Sequence, residues 1–289
     1  MTEKLGFVGL GIMGLPMSLN LRRAGFELAV YNRTAARAAP MKDAGAKVCA
    51  TPREVAENAD IIFTCVSDTP DVEAVLFGKD GIIHGAKKGS IVVDMSTISP
   101  AATKDFANRL AEKGISLLDA PVSGGEAGAI AGTLTIMTGG DEAAFNRVKP
   151  YFEKMGKTIV LVGSSGAGQV AKACNQIIIA VAIEGVGEAM LLAEKCGVDG
   201  RKVREALMGG FAGSKVLEVH GNRMLNDDFK PGFKTHLHRK DMGIVLDTAK
   251  AYKLPLPAAT LVTLHMDEVI KKGDGELDSS AIFKVLKKS

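Results

Sequence analysis

The sequence lacks the patterns that mark several protein classes. Only four cysteines occur among 289 residues and none forms a C-x-x-C pair, which argues against a disulfide framework or a zinc site. No lysine and arginine run accompanies the formal net charge of +3, so no nucleic-acid partner is expected. No signal segment is visible, and the longest apolar stretch, Ile177 to Ile183, is too short to span a bilayer. We therefore expect a cytoplasmic protein with no membrane partner.

Several catalytic patterns are also missing. None of the three tyrosines is followed by lysine four residues later, and no phosphate-binding loop of the nucleotide triphosphatase type occurs. None of the five histidines follows a first-domain strand near an acidic partner. His236 and His238 share no helical face, and we interpret them as surface or interdomain residues rather than metal ligands.

Strands and helices alternate in the first part of the chain. Short apolar runs predict buried strands at Leu5–Val8, Leu28–Tyr31, Ile61–Val66, Ile91–Met95, Ser116–Asp119, Leu134–Thr138 and Thr158–Val162. Helical patterns lie between them at Met13–Arg23, Ala35–Ala44, Arg53–Asn58 and Ala101–Lys113. This alternation predicts a doubly wound, mostly parallel α/β sheet over residues 1–163.

The pattern becomes helical after Gly163. Residues 167–196 show no strand signal, although Gly185 and Gly187 weaken the prediction of one unbroken helix. Further helices are predicted at Arg201–Met208, Lys215–Asn222, Arg239–Ala251, Ala258–Lys272 and Ser279–Lys287. We expect an all-helical domain over residues 164–289, joined to the first by the long helix, with a ligand cleft beside that helix.

A glycine-rich turn connects the first strand to the first helix. Its sequence is Gly9-Leu10-Gly11-Ile12-Met13-Gly14, a G-x-G-x-x-G motif. The three glycines would permit a tight turn, close approach of a pyrophosphate, and close packing of helix on strand. The context favours a Rossmann dinucleotide site over an ordinary glycine turn.

The second strand ends in Asn32-Arg33-Thr34 rather than in an acidic residue. No carboxylate is present to bond a ribose 2′-hydroxyl, whereas Arg33 would pair with a 2′-phosphate and Asn32 and Thr34 would donate to it. The pattern therefore favours NADPH, with NAD still possible. The alternative is that Arg33 is an exposed loop arginine.

Lys172 is the candidate acid–base group. Small and apolar residues flank it, and burial lowers the pKa of a lysine toward neutrality, which suits proton transfer. Asn175 and Gln176 follow three and four residues later, so they would share its helical face. The alternative is a solvated helix lysine.

A second candidate lies in Asp119-Ala120-Pro121-Val122-Ser123-Gly124-Gly125, which follows a predicted strand. Successive backbone N–H groups beside the Ser123 hydroxyl would form a binding loop for a substrate carboxylate. An ordinary glycine turn is the alternative.

Together these segments resemble the β-hydroxyacid dehydrogenase family. The matching stretches are Gly6–Gly14 with Pro16 and Met17, Asp94–Thr97, Asp119–Gly125, Gly166–Gln176, and Lys240-Asp241. They follow the family's order along nearly the whole chain.

The resemblance implies roles for individual residues. Lys172 is similar to the family's catalytic lysine, and Ser123, Gly124 and Gly125 to its carboxylate loop. Asn175 or Gln176 would hold the substrate. By the same resemblance, Val66 and Thr97 would line the nicotinamide pocket, Lys240 would contact the cofactor, and Phe233 and Asp241 would close the site.

The resemblance further implies reduction of a small carboxylate-bearing aldehyde. Residues 209–214 and 229–233 favour tartronate semialdehyde (2-hydroxy-3-oxopropionate), whereas Asn32-Arg33-Thr34 resembles reductases of succinic semialdehyde and glyoxylate. The same resemblance also allows a dehydrogenase that oxidises 3-hydroxyisobutyrate, or a non-catalytic NADP-binding protein. Apolar helix faces in the second domain favour a homodimer or homotetramer.

Overall fold

The computed structural model describes residues 3–287, and its internal contacts divide the chain into two compact units. The first unit ends at Lys172 and the second begins at Ala173. This division falls after the boundary predicted at residues 163 and 164, inside a continuous helix. Each unit has its own buried apolar cluster.

The first unit is an α/β structure. Its strands are β1 (Leu5–Val8), β2 (Leu28–Tyr31), β3 (Lys47–Val48), β4 (Ile61–Thr64), β5 (Ile91–Asp94), β6 (Ser116–Asp119), β7 (Val122–Ser123), β8 (Leu134–Gly139) and β9 (Gly156–Gly163). Its helices are α1 (Gly14–Arg23), α2 (Ala39–Asp43), α3 (Pro52–Glu57), α4 (Thr69–Phe77), α5 (Pro100–Ala111), α6 (Gly125–Ala131) and α7 (Glu142–Phe152).

The strands form one sheet in the order β3-β2-β1-β4-β5-β6-β8-β7, with β9 paired to β8. Strands β1 to β6 pair in parallel, as do β8 and β9, while β8 runs antiparallel to β6 and β7. The predicted doubly wound, mostly parallel sheet is therefore confirmed. Its order reverses at β1, where connections leave toward both edges, and ligands bind at such switch points.

Alternate strand residues supply two separate cores. Phe7, Phe63 and Val93 pack in one cluster, whereas Val8 and Ile62 pack in another. Strands β1, β4 and β5 are buried at every position, because helices cover both faces of a parallel sheet. Phe7 and Phe63 stack with ring centroids 5.9 Å apart, and burial of each ring contributes about 1.5–3 kcal/mol.

Three helices of the first unit were absent from the sequence prediction. Helix α4 begins after Asp68, whose carboxylate accepts from the Thr69 amide, and α7 begins after Asp141, which caps the Ala144 amide. Helix α6 is a short α-helix of seven residues without a side-chain cap. The Asp68 and Asp141 caps are start signals of the usual kind. The predicted helix over 35–44 is instead a 3₁₀ turn, Ala35–Ala38, followed by α2.

The second unit is helical. It contains most of α8 (Ala167–Lys195), followed by α9 (Gly200–Met208), a π-helical turn (Leu217–Gly221), α10 (Asn222–Leu225), α11 (Thr235–Ala251), α12 (Pro257–Lys271), a 3₁₀ turn (Ser279–Ile282) and α13 (Phe283–Leu286). The predicted helical character is confirmed. Two predicted helices, over 215–222 and 279–287, are composite turns instead of single α-helices.

Helix α8 is unbroken across both of its glycines. A Cβ atom on Gly187 would lie 2.8 Å from Leu286 Cδ1, so close packing explains glycine at that position. Among the described residues, α8 alone has the length and composition of a membrane-crossing helix, a test that core helices of soluble proteins also pass. The polar side chains of Lys172, Gln176 and Glu184 are buried along it.

Candidate active site

The glycine-rich turn adopts the geometry that its sequence predicts. Gly9 has φ +98°, and a Cβ there would lie 2.2 Å from the Cys65 carbonyl oxygen. A Cβ on Gly14 would lie 1.9 Å from the Gly9 carbonyl oxygen, so turn and helix pack too closely for any side chain. At Gly11 a Cβ would meet only Arg37 Nη1, at 4.0 Å. The middle glycine thus leaves open space beside backbone, which fits a pyrophosphate.

A cleft of about 530 Å³ opens over this turn. Its walls include Gly9 and Gly11, the end of β2 at Tyr31–Thr34, and Val66. Such a cleft at the switch point of a parallel sheet has the position and the size of a dinucleotide site.

The three residues after β2 lie on the cleft but differ in their contacts. Asn32 Oδ1 accepts from the Leu10 amide at 2.8 Å, and its Nδ2 donates to the Thr34 carbonyl at 2.9 Å. Asn32 therefore braces the glycine turn, which leaves only part of its amide for a ligand. The Arg33 side chain is 84% exposed and pairs with Asp71 at 3.1 Å, an arrangement that a 2′-phosphate would replace readily because exposed pairs are weak.

A second arginine of the cleft was missed in the sequence. Arg37 lines the same cleft and is the group nearest the open space at Gly11. Arg37 lies in the 3₁₀ turn Ala35–Ala38, directly after the Asn32–Thr34 segment. The available signal was a second arginine close to the end of β2.

Lys172 is a buried lysine with 8% exposure. Its Nζ donates to the Val122 carbonyl oxygen at 2.8 Å. Because Val122 directly precedes Ser123, this bond brings the ammonium group next to the strand that leads into the carboxylate-loop candidate. The alternative of a solvated helix lysine is wrong for this position, because α8 packs its first turns against β6 and the segment after it.

The Ser123–Gly125 segment forms a turn into α6. Gly124 and Gly125 have φ values of +133° and +62°, and both are exposed. These angles belong to glycine. Helix α6 begins at Gly125 without a side-chain cap, and the first backbone N–H groups of a helix have no intrahelical partner. The segment can accept a small anion.

The loop after β5 carries Thr97 and is fixed by buried hydrogen bonds. Ser96 Oγ accepts from the Val66 amide at 2.9 Å, which connects the loops after β4 and β5. Asp94 Oδ1 accepts from Thr64 Oγ1 at 2.7 Å and from the Ser96 amide at 3.2 Å. Burial raises the pKa of Asp94 to about 6, although its hydrogen bonds oppose this.

Asp119 holds the start of α8. Its carboxylate oxygens accept from the Gly166 amide at 2.8 Å and the Gln169 amide at 2.9 Å, satisfying donors at the helix N-terminus. Burial raises the pKa of Asp119, and these amides lower it only in part. The structure thus makes Asp119 the anchor of the helix that carries Lys172, whereas the sequence pattern had grouped it with the carboxylate-binding loop.

The predicted residues of the second unit form a polar chain. Asn175 Nδ2 donates to Gln176 Oε1 at 2.8 Å, and Gln176 Nε2 donates to Asp241 Oδ2 at 2.7 Å. Lys240 Nζ lies 3.0 Å from Asp241 Oδ1. Asp241 is 3% exposed, so this charge is buried with partners on both oxygens, as buried carboxylates require.

Phe233 is partly exposed at 37% and is held through its backbone. Its amide donates to Asp278 Oδ2 at 3.1 Å, and His220 Nδ1 lies 3.1 Å from Asp278 Oδ1. Burial alone favours the neutral carboxyl group, but hydrogen bonds from His220, Ser280 and the Phe233 amide hold the pKa of Asp278 well below its usual range. No local pattern indicated this anchor, because it lies more than forty positions away.

The interpretation of His238 as a surface residue is wrong. His238 is fully buried in the second unit, with Nδ1 3.0 Å from Ser279 Oγ. Helix α11 begins at Thr235, earlier than predicted, which places positions 235, 238 and 242 on its buried face. Across residues 3–287, no three His, Cys, Asp or Glu side chains are grouped to hold a metal ion.

The glycine turn, the cleft at the switch point and a buried lysine define an NAD(P)-binding oxidoreductase. Residues 4–163 match the family described as the NAD-binding domain of 6-phosphogluconate dehydrogenase. Residues 166–286 match the family described as NAD-binding of NADP-dependent 3-hydroxyisobutyrate dehydrogenase.

Full-length relatives agree with these matches. The chain is 52% identical to 2-hydroxy-3-oxopropionate reductase of Escherichia coli, over 98% of this chain and 97% of the relative. It is 34% identical to NAD-dependent L-serine dehydrogenase of Pseudomonas aeruginosa, over 98% and 97%. The solved structure of Mycobacterium tuberculosis 3-hydroxyisobutyrate dehydrogenase with L-serine superposes with a TM-score of 0.92, at 31% identity over 99% of each chain. This chain belongs to the β-hydroxyacid dehydrogenase family.

Proposed function

We propose that this protein reduces 2-hydroxy-3-oxopropionate to glycerate with NADPH, and that Lys172 is the general acid. The observation that carries the proposal is the buried Lys172 ammonium group, bonded to Val122 beside the Ser123–Gly125 turn. A proton donor and an anion-binding turn thereby occur together in one unit that also has the dinucleotide cleft.

The chemistry follows from these groups. A bound NADPH supplies a hydride from nicotinamide C4 to the aldehyde carbon. The Lys172 ammonium group donates a proton to the aldehyde oxygen and stabilises the negative charge that develops there. Its bond to the Val122 carbonyl holds the ammonium group in place, so the proton donor is fixed before the substrate binds.

Substrate recognition is assigned to two groups of residues. The backbone amides and hydroxyl of Ser123, Gly124 and Gly125 would bind the carboxylate. Asn175 and Gln176 would contact the substrate hydroxyl or carboxylate, and Phe233 and Asp241 would enclose it. The polar chain from Asn175 to Asp241 supports this assignment, because it pre-orients three side chains.

The cofactor is assigned to the glycine turn, Gly9, Leu10, Gly11, Ile12, Met13 and Gly14, with Val66 and Thr97 at the nicotinamide. Lys240 would contact the cofactor from the second unit. A preference for NADPH is supported by Arg33, Asn32 and Thr34 on the cleft, and by the adjacent Arg37.

The substrate assignment draws on the Escherichia coli relative and its name. Other relatives are named for different hydroxy acids, including the 2-(hydroxymethyl)glutarate dehydrogenase of Eubacterium barkeri. Succinic semialdehyde, glyoxylate and 3-hydroxyisobutyrate are therefore the competing substrates in any test.

We further propose a cytoplasmic homodimer or homotetramer, with residues 1–163 binding NADP and residues 164–289 serving substrate binding and assembly. Support comes from exposed apolar side chains of the second unit, among them Ile178 at 69% and Leu192 at 66%. Such side chains commonly mark subunit contacts. Light scattering on the purified protein measures the subunit number.

The test of function is NADPH consumption with each aldehyde supplied separately. The proposal predicts the highest kcat/KM with 2-hydroxy-3-oxopropionate. A preference for succinic semialdehyde or glyoxylate would change the assigned substrate but leave the assignment of Lys172 as general acid in place. Tight NADPH binding without turnover of any aldehyde would instead indicate a non-catalytic NADP-binding protein.

A further inference from the structure

We infer that Gln169 is a positioning residue that fixes the Thr97 loop against the helix of Lys172, and so sets the distance between the nicotinamide pocket and the proton donor. This inference rests on the proposed function, because it presupposes that Lys172 is the acid and that Thr97 lines the nicotinamide pocket. Gln169 itself is assigned no contact with substrate or cofactor.

Gln169 uses both ends of its side-chain amide on one loop. Its Oε1 accepts from the Ile98 amide at 3.1 Å, and its Nε2 donates to the Ser96 carbonyl at 2.8 Å. These two backbone groups flank Thr97 directly. The side chain is 1% exposed, so water does not compete for either bond.

The same residue is tied to the rest of the site. Its backbone amide donates to Asp119 Oδ2 at 2.9 Å, which fixes the first turn of α8 to the end of β6. Ser96 in turn accepts from the Val66 amide through its hydroxyl. One side chain therefore connects the loops after β4 and β5 to α8, three residues before Lys172 and on the same helical face.

Glutamine suits this position for a chemical reason. The loop presents one acceptor and one donor, and a primary amide matches both at once. An ionised carboxylate would set an anion against the Ser96 carbonyl oxygen, and an apolar side chain would leave both backbone groups unpaired in a buried site. Only a neutral group with one donor and one acceptor satisfies the loop.

Loss of these bonds should affect the chemical step more than binding. Displacement of a reacting group by about 1 Å can lower a rate by about a hundredfold. Freed from Gln169, the Thr97 loop would sample positions that misplace the nicotinamide relative to Lys172. Cofactor affinity should change little, because the glycine turn is held by Asn32 instead.

The experiment compares Gln169→Met, Gln169→Glu and wild type in single-turnover NADPH oxidation. Gln169→Met keeps the length of the side chain and removes both bonds. The matched control is Val148→Ala, which truncates a fully buried apolar side chain on α7 and lowers stability without touching the site. Melting temperature, NADPH dissociation constant and amide hydrogen exchange of residues 96–99 are measured on the same samples.

We expect Gln169→Met to lower the single-turnover rate about 10- to 100-fold, with the NADPH dissociation constant within about threefold of wild type and faster exchange at residues 96–99. Val148→Ala should keep the wild-type rate even if its melting temperature falls as far as that of Gln169→Met. Gln169→Glu should recover activity relative to wild type as pH falls, because a protonated carboxyl group again offers one donor and one acceptor.

Two failures are distinguishable. If wild type oxidises NADPH with none of the aldehydes, the proposed function fails. The hydrogen-exchange measurement still tests whether Gln169 holds the Thr97 loop. If wild type is active and Gln169→Met keeps its rate, or loses no more than Val148→Ala does, the positioning role is overturned. An acidic activity profile of Gln169→Glu identical to that of wild type would contradict it as well.

Discussion

The two units hold their polar site residues in different ways. In the first unit, Lys172, Gln169 and Asn32 bond mainly to backbone groups. In the second unit, Gln176 and Asp241 bond to other side chains. A backbone partner cannot be changed by substitution, whereas a side-chain partner can.

The contrast suggests a division between constant and adjustable parts of the site. Lys172, Gln169 and Asn32 are held by backbone groups of the first unit. Asn175, Gln176 and Asp241, which are proposed to contact the substrate, depend on one another's identity. Relatives that are named for different hydroxy acids, such as L-serine dehydrogenase, are consistent with that division.

The largest effect is expected from Lys172→Ala. Removal of the proton donor should lower kcat by about 10²- to 10⁴-fold, the usual contribution of general acid catalysis. NADPH binding, followed by fluorescence titration, should remain near wild type. The control is Lys195→Ala, an exposed lysine on the last turn of the same helix. Near-normal turnover of the Lys172 variant would remove the acid assignment.

Arg33→Ala should have the next largest effect. Loss of a charge-assisted bond to a 2′-phosphate costs about 1.5–3 kcal/mol, or roughly 10- to 100-fold in kcat/KM for NADPH. The kcat/KM for NADH should change less than about threefold. Arg53→Ala, which breaks an exposed ion pair with Glu57, serves as control. Equal losses of kcat/KM for NADPH and for NADH would mean that Arg33 does not bind the 2′-phosphate.

Asp241→Asn tests the side-chain network that connects Asn175, Gln176 and Asp241. The amide keeps the shape of the carboxylate but removes the charge that orders Gln176 and Lys240. We expect the KM for the aldehyde to rise about tenfold, with kcat less affected, because the change weakens ground-state binding. Asp247→Asn, on an exposed position of the same helix, should leave KM unchanged. A fall in kcat alone would argue that Asp241 belongs with the chemical step.

The smallest effect concerns pH and Asp94. Because its folded pKa of about 6 exceeds the ordinary value, the folded state binds the proton more tightly than the unfolded chain. The stability contribution is therefore present at low pH and lost as pH rises through 6. Relative to Asp94→Asn, wild type should gain about 1 kcal/mol of unfolding free energy between about pH 6.5 and pH 5. Urea unfolding of both proteins at the two pH values measures this gain. If the difference in unfolding free energy between wild type and Asp94→Asn does not change with pH, Asp94 is ionised throughout this range.

The strands of the first unit and the glycine turn were largely predictable, because their sequence signals are local. Apolar runs identified seven of the strands, and G-x-G-x-x-G identified the turn whose first and last glycines have no room for a side chain. The small neighbours of Lys172 favoured its burial but left a solvated lysine as the alternative, and the structure decides for burial. These features depend on a few consecutive residues, which is where sequence patterns carry most information.

The rest depends on distant partners. Gln169 bonds to residues more than seventy positions away, and Asp278 supports a loop more than forty positions before it. The burial of His238 depended on where α11 begins, and helix ends are weakly specified by sequence. Helix α6 was missed because its seven residues have no side-chain cap and are too few for a periodic pattern. The Asp68 and Asp141 caps of α4 and α7 were signals that the sequence analysis overlooked.

The central claim is hydride transfer to a carboxylate-bearing aldehyde with Lys172 as acid. The most direct measurement supplies NADPH deuterated at the transferred position, with 2-hydroxy-3-oxopropionate, and analyses the product by mass spectrometry. We expect glycerate carrying one deuterium on the former aldehyde carbon, formed by wild type and suppressed in Lys172→Ala. Absence of deuterated glycerate from wild type that binds NADPH tightly would rule out hydride transfer to this aldehyde, and its undiminished formation by the variant would rule out Lys172 as the acid.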